Sequence, residues 1–115
     1  MLLKEGDLIL VAHRRLFERD DSRFFIGKVD AYDMGIVKAT GHSYVRERMS
    51  GNVLEKADVR TKLLSISSGT LMVYQLPNET CLESLAFSFE HGCLSLTDGK
   101  ELRMNLMEAP QLGRV

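Results

Sequence analysis

Arg23-Phe24-Phe25-Ile26-Gly27-Lys28-Val29-Asp30-Ala31-Tyr32 is the stretch that decides the fold. Read two residues at a time, Phe25, Gly27, Val29 and Ala31 fall on one side, and Phe24, Ile26, Lys28, Asp30 and Tyr32 on the other. The first set is uniformly small or apolar. A strand laid against a core needs such a side, because successive side chains alternate across a sheet. Gly27 in mid-strand is costly unless the chain bends there or something packs closely.

Upstream, Leu8-Ile9-Leu10-Val11-Ala12 is an apolar run entered by Gly6-Asp7, and it continues through His13-Arg14-Arg15-Leu16-Phe17 into the polar cluster Glu18-Arg19-Asp20-Asp21-Ser22. The two runs are close enough to form an antiparallel hairpin with a charged loop. Downstream, the turn Asp33-Met34-Gly35 leads to a third strand from Ile36 to about Val45. Residues 46–60 have poor helical periodicity and are interrupted by Ser50-Gly51-Asn52. They read as a polar hairpin extending the third and fourth strands, with a short helical turn as the alternative. A fourth strand covers 61–67, broken by Ser68-Gly69, and a fifth covers 70–76, ended by Pro77-Asn78.

The last third is a meander. Leu85, Phe87 and Phe89 alternate with small polar residues, Glu90-His91-Gly92 turns, and Leu94 and Leu96 alternate again. Asp98-Gly99 is a two-residue hairpin signal ahead of Leu102, Met104 and Leu106, and the tail from Ala109-Pro110 reads as frayed. About eight strands and almost no helix predict an all-β barrel or sandwich.

At 115 residues the chain has room for one domain, 1–115, with a barrel core over 6–76 and a C-terminal extension over 82–107. Hydrophobic residues are 44% and charged residues 27%, too apolar for intrinsic disorder. A net charge of −1 and a pI near 6.3 do not suggest a nucleic-acid binder, although local patches rather than net charge govern phosphate contact. No apolar run approaches the roughly eighteen residues a membrane helix needs. Met1-Leu2-Leu3-Lys4-Glu5-Gly6-Asp7 is too short and too acidic for a signal peptide. Cys81 and Cys93 lack CxxC spacing and read as reduced thiols of a cytoplasmic protein without membrane association.

No catalytic constellation emerges, so the chain is not read as an enzyme, and no cofactor is expected. Asp20-Asp21 reads as a solvated loop pair, because nothing apolar nearby would shift a pKa. Asp33 suits turn capping. Cys81, His91 and Cys93 are three ligands without a fourth, so core thiols and a turn histidine are preferred to a zinc site. Ser67-Ser68-Gly69 is a turn and not a nucleophile elbow, and no glycine-rich phosphate loop precedes a helix. Two basic clusters stand out: His13-Arg14-Arg15 with Arg19 and Arg23, and Arg46, Arg48, Lys56, Arg60 and Lys62. Glu18, Asp20, Asp21, Glu47, Glu55 and Asp58 dilute both, and a mixed-charge solvated surface is preferred to a phosphate-binding patch.

The stretch Phe25-Ile26-Gly27-Lys28-Val29-Asp30-Ala31-Tyr32-Asp33 resembles the first motif of the Sm and Sm-like proteins: a strand with a bending glycine, alternating apolar residues and an aspartate at the turn. Ser68-Gly69-Thr70-Leu71-Met72-Val73-Tyr74 is similar to their second motif, and the variable hairpin between the third and fourth strands would be 46–60. The resemblance covers about residues 6–76. It implies a strongly bent five-stranded barrel whose copies join by fourth-to-fifth strand pairing into a closed homo-oligomeric ring, here through 61–67 and 70–76. It also implies a single-stranded RNA partner at Tyr32, Met34, Gly35, Ser68 and Gly69, with Tyr32 stacking a base. The chain departs from the family at the positions that hold RNA. Met34-Gly35 stands where an Asn is expected, Ser68 stands where a basic residue is expected, and the N-terminal helix has almost no room before Asp7. The alternative is a structural or protein-interaction ring with a vestigial pocket.

Overall fold

A computed structural model of the chain describes residues 2–14, 22–47, 49–90 and 93–106, without the side chains of Phe89, Glu90 and Cys93. The protein is all-β, and its described part divides into two compact units, 1–78 and 79–115. The expected charged loop between the first two strands, the turn at 91–92 and the frayed tail lie outside the described residues. No helix among the described residues is long and apolar enough to cross a membrane.

The first unit is a six-stranded antiparallel sheet. Its strands are β1 (Leu8–His13), β2 (Ser22–Asp33), β3 (Ile36–Arg46), β4 (Val53–Glu55), β5 (Arg60–Ser65) and β6 (Leu71–Leu76). The spatial order is β4-β3-β2-β1-β6, with β5 also paired to β3. The long strand β3 shares its outer edge between two partners: Tyr44–Arg46 take β4, and 36–41 take β5. β6 runs against β1 instead, with Val11 opposite Val73. Strands β5 and β6, neighbours in sequence, therefore end on opposite edges with no ladder between them. No closed barrel is found among the described residues; the strongly bent five-stranded barrel of the expectation is here an open antiparallel sheet. Residues 46–60 lead from β3 to β4, which pairs back onto β3, with Gly51 N–H bonded to the Glu47 carbonyl at 2.8 Å and Gly51 at φ 77°; among the described residues of this stretch no helix is present.

One face carries the core: Ile9, Val11, Phe25, Val29, Val37, Ala39 and Leu64, with Leu3 from the N-terminal segment. Burial is not confined to that face. Leu8, Leu10, Phe24, Ile26 and Leu76, of opposite parity, are also buried, so the strand that decides the fold is apolar on both sides in its first half.

Two features shape β2. Gly27 lies directly opposite Gly41, and a Cβ on Gly27 would come within 2.6 Å of the Thr40 carbonyl oxygen. The backbones approach more closely there than side chains permit, which explains the mid-strand glycine. Between Val29 and Ala31 the register slips by one residue. That bulge reverses the alternation, so Ala31 is exposed and Tyr32 packs against the core, the opposite of the faces that strict period two assigns. Asp30, at the slip, accepts the Thr40 hydroxyl at 2.6 Å, and Thr40 meets Thr61 at 2.8 Å, a polar ladder on the outer face.

The second unit begins with a 3-10 turn at Leu82–Ser84 and continues as the meander β7 (Ala86–Glu90), β8 (Cys93–Thr97) and β9 (Arg103–Asn105). Leu94 and Leu96 on its central strand are buried. Asp98-Gly99 does not make a two-residue hairpin, since Thr97 pairs with Arg103 and 98–102 form the loop. The cause is the Asp98 side chain, which is 3% exposed and accepts the backbone N–H groups of Lys100 at 2.8 Å, Leu102 at 3.1 Å and Cys81 at 3.1 Å. Burial opposes ionisation of this carboxyl, but the three amide donors outweigh it and hold its pKa below the usual range.

Candidate functional site: a cationic cleft on the core face

Four of the five residues expected to hold RNA sit on two abutting turns, and Tyr32 lies on β2 just before the first of them. Met34 and Gly35 both have positive φ, 46° and 83°, as a two-residue turn between Asp33 and Ile36 requires. The Ile66 N–H donates to the Gly35 carbonyl at 2.9 Å, which brings the 66–70 segment alongside. Met34 is 92% exposed, and Gly69, at φ 80°, faces open space. Ser68 is engaged within its own turn, where its hydroxyl donates to the Ser65 carbonyl at 3.1 Å and accepts the Thr70 N–H at 3.3 Å. Tyr32, packed on the core, has part of its ring withdrawn from any base. The turns thus bring Gly35 close to the segment bearing Ser68 and Gly69, with little chemistry to offer.

The opposite ends of the same strands hold a different arrangement. Along β1 the core-face residues run Ile9, Val11, His13; along β2 they run Val29, Gly27, Phe25, Arg23; along β5 they run Leu64, Lys62, Arg60. Register confirms that they share a face: His13 lies opposite Arg23, Arg23 opposite Val45, and Lys62 opposite Ala39. The core face therefore changes from apolar to basic within two residues on three strands, with an arginine on β2, a lysine on β5 and a histidine on β1. At that end His13, Arg23, Lys56, Arg60 and Lys62 line a cleft of about 470 Å³, together with Phe24, Ser43, Tyr44, Val45, Ala57 and Asp58.

The electrostatics follow from that crowding. Lys62 places its ammonium 4.9 Å from the centroid of the buried Phe25 ring, a cation–π contact at the boundary of core and cleft. Burial lowers the Lys62 pKa, and Arg60 and Arg23 lower it further. His13 is lowered by burial, then by Lys62 and Arg23. Asp58, the one carboxylate lining the cleft among the described residues, pairs with Arg60 at 3.5 Å, and both side chains are well exposed, so the pair is weak. Tyr44 stays protonated, its pKa raised by burial and by donating its hydroxyl to Glu55 at 2.7 Å.

The His13 shift has a measurable consequence. The folded protein binds the imidazole proton less readily than the unfolded chain, so His13 destabilises the fold as pH falls below about 6.5. Melting temperature should therefore drop between pH 7 and pH 5.5 more steeply in the parent than in His13→Gln. Parallel curves in a thermal-melt series across that range would refute the assignment.

Both basic clusters of the sequence contribute to this cleft, which sequence-neighbour reasoning read as diluted surface. Of the diluting acids that are described, Glu55 is taken by Tyr44 and Glu47 accepts the Ser50 hydroxyl at 3.0 Å, while Asp58 lines the cleft; Glu18, Asp20 and Asp21 lie outside the described residues. The available signal was parity, since His13, Arg23, Lys62 and Arg60 are in step with the core residues of their strands. Among the described residues no group of three or more His, Cys, Asp or Glu side chains could hold a metal ion, and His91 and the Cys93 side chain lie outside them. The chain matches no protein-family model, no curated protein and no solved structure.

Proposed function

We propose that the protein is a self-assembling interaction module of the Sm-like kind, in which the β5 edge of one copy pairs with the β6 edge of the next to close a homo-oligomeric ring. The observation that carries this is the strand order. Among the described residues it leaves two unpaired edges at opposite ends of one sheet, so a head-to-tail copy can satisfy both at once. β6 (Leu71–Leu76) bears no charge to repel a partner strand, and Leu63 on β5 is 73% exposed. Of the two readings the resemblance implies, the interaction ring is favoured over RNA held at Tyr32, Met34, Gly35, Ser68 and Gly69, because Tyr32 packs on the core and the Ser68 hydroxyl is bound within its turn.

Light scattering or native mass spectrometry tests this directly. The expected mass is a closed multiple of 13.0 kDa, and a monomer at micromolar concentration sinks the reading. A variant sharpens it. The Arg14 N–H donates to the Thr70 carbonyl at 2.9 Å, and alternation from that pair turns the N–H groups of Leu71, Val73 and Gln75 away from β1. Gln75→Pro removes one outward donor while sparing the inner ladder, and it should lower the assembled fraction at least tenfold.

A further inference from the structure

Among the described residues the cleft on the core face holds four basic side chains, Arg23, Lys56, Arg60 and Lys62, against the single carboxylate of Asp58, with His13 beside them. A formal surplus of three positive charges is thus concentrated in one concavity of a chain whose net charge is −1. Evenly scattered surface charge does not produce this. Three of the cationic positions stand on adjacent or nearby strands with fixed register, and Lys62 is held further by the Phe25 ring. The placement is built by the sheet and not by a loop.

We propose that this cleft is a binding site for phosphate groups, carried either by a free phosphate ester of about nucleotide size or by the backbone of a single-stranded nucleic acid. Two arginines supply planar forks that match phosphate oxygens, and two lysines add point charges around them. The volume, about 470 Å³, falls within the range of small-ligand sites and exceeds what one inorganic ion fills. The unliganded cluster is also self-opposing. His13 and Lys62 both resist protonation because of burial and the cations around them, and a bound multivalent anion relieves that opposition. The site lies at the ends of the strands opposite the turns around Met34 and Ser68, and it requires no second copy, so it stands or falls separately from ring assembly.

Pyrophosphate and a fluorescein-labelled twelve-nucleotide single-stranded RNA serve as probes, titrated at low ionic strength against chloride at matched ionic strength. At least one should bind, with a melting-temperature rise that chloride does not reproduce, and Arg23→Gln/Lys62→Gln should weaken binding at least tenfold. Because Lys62 touches the core, Lys56→Gln/Arg60→Gln, at two exposed positions, provides a second variant with the same expected direction. An RNA that binds tenfold more tightly than pyrophosphate and is displaced by it identifies the backbone as the source of phosphate. Pyrophosphate binding without RNA binding identifies a free ester. Repeating the titration on Gln75→Pro separates the site from assembly, and undiminished binding there is expected. The proposal is overturned if neither probe binds beyond the chloride control, or if both double variants bind as the parent does.

Discussion

Gly41→Ala is expected to cost more than about 3 kcal/mol of unfolding free energy, while Gly69→Ala, the same substitution at another glycine, costs about 1–2 kcal/mol. The contrast isolates one cause. At Gly69 the added methyl meets nothing within 4 Å, and only the φ of 80° is unfavourable. At Gly41 the methyl runs into the Ile26 carbonyl oxygen and comes within 2.5 Å of the Gly27 Cα. Those are backbone atoms in the middle of the β2–β3 ladder, and neither can retreat without breaking pairing on both sides. Equilibrium urea unfolding of the two variants would measure the difference. If Gly41→Ala loses no more than Gly69→Ala, the close approach of the two strands is wrong.

Phe25→Ala is the second large effect, with an expected loss of about 3–5 kcal/mol. Phe25 is fully buried at the centre of the core cluster, among Ile9, Val11, Val29, Val37, Ala39 and Leu64. The chain has no Trp and only 7% aromatic residues, so few large side chains are available to collapse into the space. Small domains have total stabilities of about 5–15 kcal/mol, so the variant should sit near the edge of folding. Phe25→Leu keeps most of the volume and should lose less than half as much. A loss under about 1.5 kcal/mol for Phe25→Ala, read from the shift of the urea midpoint, would show that the cluster is not the energetic centre of the first unit.

Residue order alone determined the strands. Alternation around Phe25, the breakers at Asp33-Gly35 and Ser68-Gly69, and the three-strand pattern after Leu85 all depend on neighbours close in sequence, where period two and turn chemistry act. Those same local signals marked Gly27 as a place where the chain bends or something, such as another backbone, packs closely. They could not show that the other backbone would carry Gly41, since that pairing depends on cross-strand register.

Three further things were decided only in three dimensions. The bulge after Val29 turned Tyr32 inward, because one extra residue inverts every side chain beyond it. The Asp98 carboxyl, by collecting three amide donors from two segments, stretched a two-residue hairpin signal into a loop. The basic clusters around His13-Arg23 and Lys56-Lys62 are far apart in sequence and individually diluted by acids. The order β5-β3-β2-β1 brought them to one end of one face, where Glu55 and Glu47 are engaged by Tyr44 and Ser50. Charge along a chain sums over neighbours in sequence, whereas charge in a cleft sums over side chains that share a face, and pairing register decides which residues those are.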